Sequence, residues 1–187
     1  IFWFLAAFGL VLLALTAWGL PESHPPENRV PLRARTLVTD YAHMLSNRRF
    51  RLLALVGTFN FGALFLYIAS APAFVMDLLG LDEQGFVWFF APTIGGMMLG
   101  AFVSGRAAGR ITGRRLVGWG FACCGVAAAY NIAYNALTVT PTLPWAVLPT
   151  ALGAFGIALV FPIVTLAILD MYPRHRGGAS SMQAFVG

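Results

Sequence analysis

Apolar residues in this chain come in long blocks, not in the alternating pattern of a half-buried strand or the three-four spacing of a surface helix. Five blocks, at 1–20, 52–76, 86–105, 116–137 and 143–169, each reach the roughly 20 residues that a helix needs to cross bilayer hydrocarbon. None carries a charge in its interior. A sixth block opens near Ala179 and is still running at Gly187, so the sequence is expected to be a fragment of a longer protein with a truncated sixth crossing. The first block has no basic stretch ahead of it and no small-residue cleavage site, so a signal peptide is not expected.

The connections alternate in charge. Arg29, Arg33, Arg35, Arg48, Arg49 and Arg51 follow the first block; Arg106, Arg110, Arg114 and Arg115 follow the third; Arg174 and Arg176 follow the fifth. The connections after blocks two and four carry no basic residue, and the former holds Asp77, Asp82 and Glu83. Basic residues collect in cytoplasmic loops, so blocks one, three and five run outward-to-inward. Trp3, Trp18, Trp88, Trp119 and Trp145 stand near block ends, where an indole suits the headgroup belt.

The first connection, 21–51, begins with Pro21, Pro25, Pro26 and Pro31, which keep it extended. Beyond them Leu37, Val38, Tyr41, Met44 and Leu45 fall on one helical face, with Thr39, Asp40, His43 and Ser46 opposite. This spacing predicts an amphipathic helix along the cytoplasmic face, resting either on lipid or on protein.

Composition agrees with a bilayer setting. Of 187 residues, 59% are apolar and only 10% charged, against about 25% charged in soluble domains. The net charge of +5 does not point to nucleic acid, because the arginines are dispersed in short loops. Cys123 and Cys124 are adjacent within a block and poorly placed to bridge. His24, His43 and His175 have no partner at metal-ligand spacing, and neither a phosphate-binding glycine loop nor a serine elbow is present. An enzyme, a metal and a cofactor are therefore not expected.

Polar groups at bilayer depth are the stronger clue. Asn60, Ala63, Tyr67 and Ser70 share a face of the second block, which reads either as a cavity lining or as an interhelical hydrogen bond. Asn131 and Asn135, with Tyr130 and Tyr134, sit at the outer end of the fourth block, where headgroups explain them. Small residues at helix-contact spacing, Gly96, Gly100 and Ser104, then Gly118, Ala122 and Gly125, then Gly153 and Gly156, predict close helix packing. Pro92, Pro149 and Pro162 predict helix breaks. Two cytoplasmic loops, 105–115 (GRAAGRITGRR) and 170–177 (DMYPRHRG), combine arginines with glycine turns, and the second holds the lone carboxylate Asp170.

These loops resemble the major facilitator superfamily. Gly105, Arg110, Arg114 and Arg115 match its short cytoplasmic signature; Gly109 occupies the signature's acidic position, and its second glycine comes one place late, at Gly113. The strings 20–23 (LPES), 41–50 (YAHMLSNRRF), 66–72 (LYIASAP), 104–110 (SGRAAGR) and 176–181 (RGGASS) resemble the bicyclomycin/chloramphenicol-resistance (Bcr/CflA) drug efflux branch. The resemblance implies an all-α polytopic fold, a partial superfamily fold comprising helices six to ten plus the start of eleven. Residues 1–20 would be the last helix of the N-terminal half, 21–51 the linker between halves, and 52–187 the C-terminal half. It further implies a multi-pass transporter of a bacterial inner membrane that exchanges small hydrophobic drugs for protons by alternating access, with the N-terminal half of the same protein as partner. Helices seven and ten line the central cavity in this superfamily, which makes Asn60, Tyr67, Phe155 and Phe161 the expected substrate-binding residues. Asp170 is expected to pair with Arg106, Arg110 or Arg176 as a cytoplasmic gate. A metabolite or sugar permease, and a non-transporting membrane scaffold, are the alternatives.

Overall fold

A computed structural model describes residues 2–20, 34–173 and 175–186. They form seven α-helices: α1 (Phe2–Gly19), α2 (Ala34–Ser46), α3 (Arg48–Ala69), α4 (Phe86–Ala107), α5 (Gly113–Leu137), α6 (Leu148–Met171) and α7 (Arg176–Val186). Five segments are long and apolar enough to cross a membrane, built on α1, α3, α4, α5 and α6, as the five apolar blocks predict. The prolines of the first connection, and Arg174, lie outside the described residues.

The chain divides into two compact units, 1–37 and 38–187. In the first, α1 buries none of its residues. Thr16 returns its hydroxyl to the Leu12 carbonyl at 2.8 Å, so the helix presents almost no unsatisfied polar group to hydrocarbon.

The second unit is organised around α6, which packs on α3, α4, α5 and α7. Two of these contacts are backbone-to-backbone. On one side Gly96 and Gly100 of α4 lie against the carbonyls of Ala151 and Phe155, leaving no room for a β-carbon. On another, Gly120 of α5 and Gly156 of α6 each face the other's carbonyl. Such close approach maximises van der Waals contact where lipid offers no hydrophobic drive for association. The spacing predicts a stripe of Gly118, Ala122 and Gly125 on α5, but open space surrounds Gly118 and Gly125. The face that meets α6 runs instead through Leu116, Gly120 and Ala127. α5 carries two small-residue stripes, and spacing alone does not say which meets a neighbour.

The second apolar block is not one helix. α3 ends at Ala69, and after Pro72 the chain continues as a π-helical turn, Ala73–Leu78. Pro72 has no N–H for the ladder, and the hydrogen bonds then widen to Leu79 N to the Phe74 carbonyl, 3.1 Å. This turn and α4 enclose a cluster of Ala71, Val75 and Phe89 with Tyr67, Phe74, Phe86 and Phe90. At the other end of α3, Asn47 caps the helix, its side chain accepting from Arg49 N at 2.9 Å and Phe50 N at 3.4 Å.

The amphipathic helix rests on protein. Met44 is buried with Phe50, Ala54, Val164, Ile168, Ala179 and Met182, and Tyr41 packs on the same cluster. The Tyr41 hydroxyl shares a 2.8 Å hydrogen bond with Ser181 of α7. Two expectations change. Val38 and Leu45 of the apolar face point outward, being 68% and 41% exposed. Asp40, expected on the polar face, turns in to His175 at 3.8 Å. The apolar stripe is wider than the groove that receives it.

Adjacent glycines of α4 give a test. Gly96→Val should lower the stability of the full-length protein by about 2 kcal/mol or more, because the α4–α6 backbones must separate. Gly95→Ala, with nothing within 4 Å, should change it by less than about 0.5 kcal/mol. Thermal unfolding in detergent measures both.

Candidate functional site

Among the four residues expected to bind substrate, Asn60 is the most buried, at 4% exposure. Its Nδ2 donates to the Ile157 carbonyl of α6 at 3.0 Å. Pro162 lies just beyond on α6 and supplies no N–H to the Ala158 carbonyl, which loosens the ladder there. The Ser104 hydroxyl of α4 donates to the Leu159 carbonyl at 3.3 Å. Polar side chains from two neighbouring helices thus add hydrogen bonds to the carbonyls on either side of the one that Pro162 leaves without its N–H partner.

Asn60 also borders a cavity of about 470 Å³ between α3, α4 and α6, lined by Phe61, Leu64, Met97, Met98, Ile157 and Phe161 among others. The Asn60 amide is turned toward α6, and the cavity surface is wholly apolar. Its size falls within the range of small-molecule sites, about 300–1,000 Å³. Phe161 contributes an aromatic wall and is 49% exposed.

The other two expected residues lie elsewhere. Tyr67 stacks on Phe89, ring centroids 4.3 Å apart, and its hydroxyl accepts from Thr93 at 3.4 Å. It borders a smaller recess of about 180 Å³ between α3, α5 and α6, with Asn131 and Thr150. Phe155 packs toward Leu116 and Leu159 on the α4–α5 side of α6, and Gly100 presses on its carbonyl. The structure therefore brings Asn60 and Phe161 together, sets Tyr67 in a neighbouring recess and leaves Phe155 in the interhelical core. Phe61, Met97 and Met98 were not singled out by sequence; apolar side chains in an apolar block carry no signal of their own.

At the C-terminal end of α6, Arg176 Nη2 meets Asp170 Oδ1 at 3.3 Å, both side chains exposed. Neither Arg106 nor Arg110 pairs with Asp170 here. Arg106 lies over the Phe102 ring at 4.7 Å, a cation–π contact. Gly109 has φ +76°, a left-handed conformation that favours glycine over a side chain. Among the described residues no group of three or more His, Cys, Asp or Glu is placed to hold a metal ion.

A bundle of spanning helices around an apolar cavity, with arginine-bearing turns, defines a multi-pass membrane protein. The family model described as Major Facilitator Superfamily matches residues 1–187, and the chain belongs to that superfamily. It is 22% identical over 186 residues to a bicyclomycin resistance protein homolog of Haemophilus influenzae, covering 97% of this chain and 45% of that protein. It is 28% identical over 185 residues to the MFS-type transporter YdgK of Bacillus subtilis, covering 97% and 44%. It is 25% identical over 181 residues to the multidrug resistance protein MdtM of Escherichia coli K12, again covering 97% and 44%. The chain thus spans less than half the length of these relatives. No solved structure matches it significantly.

Two measurements follow. Asn60→Leu should cost about 1 kcal/mol of stability, the scale of one interhelical hydrogen bond, read from unfolding of the full-length protein. A double-mutant cycle should give coupling below about 1 kcal/mol between Asp170 and Arg176, as for an exposed pair, and none between Asp170 and Arg106 or Arg110 in the state described.

Proposed function

We propose that this chain is the C-terminal half, with the preceding helix and linker, of a multidrug efflux transporter working by drug:proton antiport. It acts with the N-terminal half of the same protein, and as a transporter it catalyses no covalent reaction. The observation that carries the reading is the wholly apolar cavity at mid-helix depth between α3, α4 and α6, walled by Phe61 and Phe161. Aromatic and methionine side chains adapt to varied apolar ligands without fixing one shape. The names of the relatives, multidrug resistance and bicyclomycin resistance, support the same substrate class.

Alternating access rocks one half against the other around a midplane site. On this reading Asn60 holds α3 to α6 beside the proline break while Phe161 meets substrate. Tyr67 borders the adjoining recess, and Phe155 sets the spacing of α6 from its neighbours. Asp170 and Arg176 latch the cytoplasmic side in one state, and the exposure of the pair makes that latch cheap to open.

Transport of the neutral dye N-phenyl-1-naphthylamine in inside-out vesicles tests the reading. The full-length protein should move the dye only with a proton gradient. Phe161→Ala should raise the KM about three- to tenfold, the loss of one aromatic contact. Dye movement indifferent to both the gradient and Phe161 would favour a non-transporting scaffold.

A further inference from the structure

A second cavity, about 280 Å³, opens on the other side of Phe61 and Phe161, between α3, α6 and α7. Its remaining lining is Gly57, Thr165, Ser180, Gln183 and Ala184. Phe61 and Phe161 are therefore a shared wall, with a wholly apolar space on one side and, on the other, a mostly apolar one that carries a few polar groups.

Gln183 is the centre of the polar groups in this second space. Its Nε2 donates to the Thr165 hydroxyl at 3.1 Å and stands over Gly57, where even a β-carbon would come within 3.7 Å of it. A glutamine amide has two N–H donors and a carbonyl acceptor. Among the described residues only one of these is used, and Ser180 beside it makes no side-chain hydrogen bond. The spare amide groups leave Gln183 able to bond a partner with complementary groups. No ionisable side chain lines the cavity, so a cation or anion placed there would lack a counter-charge. Two phenyl walls favour a flat aromatic body.

We infer that Gln183, with Thr165 and Ser180, forms a hydrogen-bonding subsite for the carbonyl or amide of an uncharged aromatic substrate whose apolar remainder lies against Phe61 and Phe161. The inference rests on the transport reading for its purpose but predicts binding that can be measured without transport.

Benzanilide and trans-stilbene have nearly the same shape and differ in the amide. Equilibrium binding of both to the detergent-solubilised full-length protein should show Gln183→Leu weakening benzanilide about fivefold, as one lost hydrogen bond would, with stilbene unchanged or tighter. Independently of any variant, the carbonyl stretch of ¹³C-labelled benzanilide bound to the unmodified protein should lie at a hydrogen-bonded frequency, below its value in hexane. Failure of benzanilide to bind, equal effects of Gln183→Leu on both ligands, or a hexane-like carbonyl frequency would overturn the assignment. If amide discrimination is found but the dye of the preceding section is not transported, the subsite stands and the transport reading falls; if the dye is transported without discrimination, the reverse holds.

Discussion

The second unit of this protein depends on how closely two helices approach α6. Gly96 and Gly100 let α4 in on one side, and Gly120 with Gly156 lets α5 in on another. Membrane helices associate through packing and hydrogen bonds, not through expulsion of water. Backbone contact on two sides therefore holds α6 as the centre of the bundle. On the α3 side no such glycine pair exists, and α3 meets α6 less closely. The space left there is filled only in part, by Phe61, Leu64 and Phe161, and both the wholly apolar cavity and its neighbour beside Gln183 occupy it. Where the small residues lie thus sets where the cavities are.

The same helix is weakened at its middle. Pro162 interrupts its ladder, and Asn60 and Ser104 donate to carbonyls on either side of the freed one. These bonds tie α6 to α3 and α4 at the depth of the apolar cavity. A bond of this kind in a bilayer contributes about 0.6 kcal/mol on average. Asn60 accordingly belongs to the bundle's framework while bordering the cavity.

The end of the bundle near α2 is held by contacts of a different kind. Met44 of α2 is buried among residues of α3, α6 and α7, whereas the polar ties around it, Tyr41 with Ser181, His175 with Asp40 and Arg176 with Asp170, are partly or largely exposed. Exposed ion pairs contribute little each. α2 is thus docked by a firm apolar anchor, with weak polar ties around it.

The number of spanning helices and the superfamily were legible in the chain itself, because apolar block length reports directly on the bilayer as solvent and the loop motifs carry the family resemblance. The break at Pro72 was visible as a proline but not as a π-helical turn, which depends on how the following residues pack on α4. Tertiary structure alone decided the rest. It chose Gly120 over Gly118 as the α5 contact, turned the Asn60 amide toward α6, placed Phe155 in the core and Phe161 at a cavity, and set Arg176 beside Asp170. It also brought Gln183 of the last helix to Thr165 of α6. One sequence pattern records which residues share a helix face, but not which neighbour that face meets, and in an apolar helix several faces look alike until backbone contact selects one.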